Sequence, residues 1–171
     1  MGYVILGLLI LQPNTLYGIS KAFEGAISLI YSASLGGIRS ALMRLEESGW
    51  IEPTEHVEGG RNKKTYTVTD AGREEFERWI RAIPERGDLE REALSRVLFL
   101  GLLPEEERGI VLAELTARAR HQLAAVEAQA AESEGLEFPP EVAEVARYQV
   151  AMLEYARLTL RAVLTWLEGL R

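Results

Sequence analysis

The chain has 171 residues, 47% of them hydrophobic and 26% charged, which suits a soluble globular protein of one domain, or of one small domain with an appendage. It contains no cysteine, which rules out disulfide staples and thiolate metal sites and fits a reducing cytoplasm. The net charge of −7 does not exclude a nucleic-acid partner: residues 1–83 carry 9 Lys+Arg against 10 Asp+Glu and residues 84–171 carry 10 against 16, and binding depends on the basic surface that actually meets phosphate.

The first element is the apolar run from Val4 to Leu11. It is far shorter than the roughly 20 residues a membrane helix needs, and no basic residue precedes it as in a secretory signal. A buried first helix is expected, and no membrane association. The stretch Gln12–Thr15 breaks the pattern, because Pro13 fixes φ and Asn14 or Thr15 can cap the next helix. That second helix is expected from Leu16 to about Glu24. A third begins after a capping region at Ser34 and stops at Gly49, with Ile38, Ala41, Leu42 and Leu45 on its apolar face. Its other face presents Gly36, Ser40, Met43 and Glu47, with Arg39 and Arg44 on the flanks.

The period then changes. Residues 50–57 are short and extended, 58–62 carry a turn signal, and 63–69 return with β-branched and aromatic residues that alternate at Tyr66 and Val68. This pattern predicts a β-hairpin with a basic tip. Thr69 or Asp70 caps a fourth helix with Phe76, Ile80 and Ile83 on one face and Trp79 beside it. Residues 84–89 read as a linker, so the expected organisation is a first domain over 1–83 and a helical region over 90–171.

In that region Glu90–Leu102 reads as one helix facing inward with Leu94, Val97, Leu98 and Leu102. Pro104 and the acids Glu105, Glu106 and Glu107 start a long one that runs to about Glu134. The segment from Gly135 to Pro140 interrupts, and a last helix runs from Glu141 to about Gly169. The last helix has a heptad seam of Val142, Gln149, Ala156, Val163 and Leu170 at one position, with Ala146, Leu153, Leu160 and Leu167 four residues on. Such a seam suits pairing with another helix, either a partner subunit's or the preceding long helix. The subunit contact is favoured, because a helix hairpin alone would leave much apolar surface exposed.

Three helices, a basic hairpin and a helix form the order of a winged helix-turn-helix, giving a mainly α fold class with one small β-hairpin and a C-terminal helical dimerisation region. A helix that enters the major groove end-on needs a small, polar first turn, and Ser32, Ser34, Gly36, Gly37 and Ser40 meet that need. Arg39 and Arg44 can reach phosphates or a guanine edge. Arg61, Asn62, Lys63 and Lys64 at the hairpin tip suit backbone or minor-groove contact. Glu46 and Glu47 would repel phosphate, but are expected at the far end of the helix, away from the groove. An enzyme is not expected: the only histidines are His56 and His121, and no phosphate loop or Ser-His-Asp spacing is visible. No cofactor or metal is implied. A winged module that binds protein rather than DNA stays open as the alternative.

Three stretches also resemble motifs of the PadR-type transcriptional regulators: Leu16–Lys21 the "GY-I" motif, Leu42–Ile51 the "L-LE--G-I" motif, and Lys64–Arg73 the "Y-LT--G" motif. The likeness covers residues 3–83 well, and less specifically Phe99–Pro104 and Trp166–Glu168. It implies a homodimeric repressor of double-stranded DNA, released by a small effector, and adds Tyr17 to the DNA-binding set. Arg39 stands where the family has tyrosine and Leu35 where it has proline, so no operator sequence carries over. Family members that bind phenolic or planar compounds imply an aromatic effector cavity between subunits, for which Tyr148, Tyr155 and Trp166 are the candidates; simple interface packing is the plainer role for them. A two-fold dimer would set its recognition helices about one DNA turn apart, roughly 34–36 Å, over a pseudo-palindrome.

Overall fold

The computed structural model describes residues 1–58, 61–133, 135–136 and 138–170, with the side chains of Ala26, His56, Glu58, Arg61 and Asn62 outside the described part. The chain forms two compact units, one of Met1–Ala82 with Leu94–Leu102 and one of Ile83–Ala93 with Leu103–Arg171.

In the first unit, helix α1 (Gly2–Leu11) buries Val4, Ile5, Leu6 and Leu9. A helix apolar on all sides is stable only when surrounded, and α1 packs against α3 (Leu35–Glu47), α4 (Asp70–Arg81) and strand β3 (Arg61–Val68). Two-residue strand β1 (Asn14–Thr15) leads into α2 (Leu16–Phe23), where the Gly18 N–H donates to Thr15 Oγ1 at 3.1 Å as an N-cap. A short 3₁₀ turn over Ala26–Leu29 separates α2 from α3.

Helix α3 starts where its cap signal lies: the Gly37 N–H donates to Ser34 Oγ at 3.1 Å. Ile38, Ala41, Leu42 and Leu45 are all buried. It stops at Gly49, whose φ of 70° suits glycine. The Trp50 N–H reaches back to the Leu45 carbonyl and the Gly49 N–H to that of Glu46, the paired bonds of a Schellman motif.

Strand β2 (Ile51–Glu58) pairs antiparallel with β3 from Ile51↔Val68 to Glu58↔Arg61, and β1 joins the other edge of β3, so the sheet order is β1-β3-β2. Ile51, Tyr66 and Val68 point into the core. Of the expected turn, Gly59 and Gly60 lie outside the described residues. Thr69 then serves two elements. Its hydroxyl donates to the Gly49 carbonyl at 2.7 Å and accepts the Gly72 N–H at 3.1 Å, so it ties the end of α3 to the start of α4. Tyr3 of α1 stacks on Trp79 of α4, with ring centroids 4.9 Å apart, and donates its hydroxyl to Glu75 Oε1 at 2.8 Å.

The single helix expected over Glu90–Leu102 is shorter: α5 spans Leu89–Val97, and Leu100–Leu102 forms a 3₁₀ turn. The inward side is also different. Leu98 and Leu102 are exposed, whereas Leu89, Ala93, Arg96, Phe99 and Leu100 are buried. A charged residue in the buried stripe hides its period from a hydropathy pattern. The Arg96 guanidinium donates to the carbonyls of Trp79 (3.1 Å) and Ala82 (2.7 Å) at the end of α4 and lies 4.6 Å from the Trp79 ring centroid. Phe99 meets Phe76 edge-on at 5.7 Å and lies so close to Gly7 that an added Cβ there would stand 2.6 Å from its ring. These contacts are why residues 94–102 pack with the first unit.

The second unit is built on α6 (Glu105–Ser133) and α7 (Pro140–Glu168), each about 43 Å long. Ion pairs Arg120–Glu168 and Glu127–Arg161 fix them as antiparallel neighbours. Val111, Leu112, Leu115 and Ala119 of α6 are buried, with Val163 and Leu167 of α7. Arg118 Nη2 donates to the Gly87 carbonyl at 2.6 Å and so holds the 83–93 segment to α6. Among the described residues no helix is long and apolar enough to cross a membrane.

Candidate nucleic-acid interface

Three local devices of the first unit open onto one cleft. The Thr15 cap starts α2 so that Tyr17 stands at its first turn, 77% exposed. The Ser34 cap starts α3 with Leu35, Gly36, Arg39 and Ser40 exposed and Gly37 half-buried. The β2–β3 register sets Lys63 and Lys64 opposite His56 and Glu55. The cleft between them is roughly 660 Å³, and Tyr17, Arg39, Lys63 and Lys64 line it together with Thr15, Leu16, Leu35, Met43 and Tyr66.

Of the residues singled out from the sequence, Tyr17, Arg39, Lys63 and Lys64 are therefore brought to one place. Ser32, Ser34, Gly36, Gly37 and Ser40 lie in or beside the first turns of α3, and the Ser40 hydroxyl donates to the Gly36 carbonyl at 3.0 Å. Arg44 does not line the cleft. Five residues beyond Arg39, it lies about 140° further round the helix. Arg61 and Asn62 belong to β3, and their side chains fall outside the described part.

Leu35 and Met43 were missed as site residues. They stand four residues either side of Arg39, so all three share a flank of α3, and that spacing was the available signal. Glu46 requires a correction. It shares that flank, and its carboxylate is turned to the hairpin, with Lys64 Nζ 3.2 Å from Oε2 and 3.4 Å from Oε1. This hydrogen bond holds the Lys64 ammonium above its ordinary pKa of 10.5. Lys64 Nζ also lies 5.3 Å from the Tyr66 ring centroid, within cation–π range.

On α7 the heptad seam divides. Ala146, Val163 and Leu167 are buried within the chain, and Leu153, Ala156 and Leu160 are half-buried, whereas Val142, Gln149 and Leu170 are exposed. Buried side chains cannot also meet a partner, so Ala146, Val163 and Leu167 are occupied inside the chain. Apart from the seam's own Val142, exposed apolar side chains lie beside it at Val145, Tyr148, Met152 and Tyr155. The aromatic candidates do not converge in one chain. Tyr148 and Tyr155 are on this exposed face, and the Tyr148 hydroxyl accepts a hydrogen bond from Arg147 Nη2 at 3.0 Å. Trp166 is half-buried and eleven residues beyond Tyr155, about 16 Å along the helix.

Residues 5–78, a stretch that holds every residue of the cleft, match the transcriptional regulator PadR-like family. A probable transcriptional regulator of Mycobacterium tuberculosis is 32% identical over 70 residues, 40% of this chain and 37% of that protein. The negative transcriptional regulator PadR of Bacillus subtilis is 31% identical over 107 residues, 61% of this chain and 59% of that one. The chain thus spans less than two thirds of either relative. Among solved structures, Bacillus subtilis PadR in complex with operator DNA is similar at 25% identity and a TM-score of 0.48, over 99% of this chain and 96% of that one. The same protein in complex with p-coumaric acid gives 23% and 0.44, over 99% and 92%.

Proposed function

We propose that this chain, whose residues 5–78 match the PadR-like family of transcriptional regulators, is a cytoplasmic, homodimeric repressor that binds double-stranded operator DNA through the cleft of its first unit and is released by a small aromatic effector. The observation that carries this reading is the convergence of Tyr17, Arg39, Lys63 and Lys64 on one cleft beside the Ser34-capped start of α3. A phosphodiester strand lying in that cleft meets cations from both walls, while the first turn of α3, with no side chain at Gly36 and Gly37, enters the major groove beside it. Arg39 then reaches a guanine edge or a phosphate, and Arg44 on the other flank reaches the opposite strand.

Dimerisation is assigned to the exposed face of α7, where Val142, Val145, Tyr148, Gln149, Met152 and Tyr155 present apolar surface that a second copy would cover. Tyr148 and Tyr155 are the effector candidates of that face. The name of the Bacillus subtilis relative, a negative regulator, supports repression.

The reading is tested by mobility shift with DNA from the protein's own upstream region at several salt concentrations. Specific binding should weaken with salt, and the Arg61→Ala/Lys63→Ala/Lys64→Ala variant should flatten the salt dependence by up to about 0.9 in slope for each phosphate no longer neutralised. Equal, feeble binding to every fragment would favour the protein-interaction module instead.

A further inference from the structure

Lys64 does not present a bare ammonium to the cleft, because both Glu46 oxygens lie within 3.4 Å of its Nζ. The pair is open to water, with 39% of the lysine side chain and 35% of the glutamate side chain exposed, and ion pairs this exposed hold structure only weakly. The hairpin is positioned by stronger means: Ile51, Tyr66 and Val68 are in the core and β1 is paired along β3. What the carboxylate changes is charge. It cancels one of the two lysine charges of the cleft wall at the spot where a phosphate would arrive, and it stays as a repulsive neighbour if Lys64 turns away from it.

We propose that Glu46 is an internal competitor for phosphate, which holds Lys64 in the free protein and must yield it to the duplex. This rests on the DNA-binding reading above. Glu46 would thereby set how tightly, and how salt-sensitively, the cleft grips any duplex, independently of base sequence. The native cleft then binds less tightly than its cations alone would allow.

The test is a double-mutant cycle of wild type, Glu46→Gln, Lys64→Gln and the double variant. Each full-length protein is titrated against a fluorescently labelled mixed-sequence duplex by anisotropy over a salt series, with a thermal melt to check folding. Glu46→Gln should tighten binding about threefold to tenfold and steepen the salt slope by about 0.9 per hairpin. Lys64→Gln should weaken binding less in the native background than in the Glu46→Gln background, where it should abolish that gain. Weaker binding by a fully folded Glu46→Gln protein would overturn the proposal, as would an equal effect of Lys64→Gln in both backgrounds. Either result with a salt-sensitive wild-type complex sinks the role of Glu46 alone, whereas no salt-sensitive complex with any of the four proteins sinks the DNA-binding reading with it.

Discussion

Arg96 allows the sharpest test of how the first unit is held together. It is 1% exposed, and its guanidinium donates to two carbonyls at the C-terminal end of α4 while lying over Trp79. Replacement by methionine keeps most of the volume and removes every donor. Two carbonyls then lose a charged donor, at about 1–3 kcal/mol each. The favourable charge at a helix C-terminus goes too, about 0.3–1 kcal/mol, with a cation–π interaction of about 1–2 kcal/mol. Release of the guanidinium from burial offsets several kcal/mol of this sum. The expected net loss is about 2–4 kcal/mol, and at about 2–4 °C per kcal/mol for a chain of this size the midpoint falls by roughly 5–15 °C. The assay is urea and thermal unfolding followed by tryptophan fluorescence in a Trp166→Phe background, so that Trp50 and Trp79 report the first unit. Arg96→Lys, which keeps the charge and loses the planar fork, should fall between the two. An Arg96→Met protein within about 0.5 kcal/mol of wild type would refute the account, because surface substitutions alone give changes of that size.

Three further outcomes are expected. Met152→Glu puts a charge on the exposed α7 face, where Met152 is 72% exposed, and should give a folded monomer by sedimentation with lost operator affinity. Val163→Asp, on the buried side, should destabilise the fold instead, and a persisting dimer in Met152→Glu would move the interface elsewhere. Tyr3 has a pKa raised above 10.0, first by burial and then by its hydrogen bond to Glu75. Its contribution to stability is therefore complete below pH 10 and is lost as pH rises through the higher folded value. Urea midpoints of wild type and Tyr3→Phe should draw together as pH rises above 10, and a gap that stays constant there would contradict the assignment.

Much of the first unit was legible because its signals are local. Thr15, Ser34 and Thr69 each cap the helix that their own hydroxyl can reach, and Gly49 ends α3 because the backbone there has positive φ. Four buried positions at helical spacing marked the inner face of α3. The misreadings are equally specific. The α5 face was hidden because a buried arginine looks like a surface residue until its carbonyl partners on α4 are in view. Glu46 read as remote because distance along a helix says nothing of which strand stands beside it.

The order of elements, their caps and the residue types at the start of α3 arise from interactions over a few residues, and the linear chain determines these by itself. Which seam positions of α7 stay available, which cations share a cleft and which acid restrains one of them depend on contacts between segments far apart in the chain. A heptad pattern specifies a face that must be covered and leaves open which helix covers it; here the fold buried Ala146, Val163 and Leu167 of the seam and left the neighbouring stripe bare. Burial and charge pairing are properties of surfaces that exist only once the chain has folded, which is why the tertiary structure alone decided them.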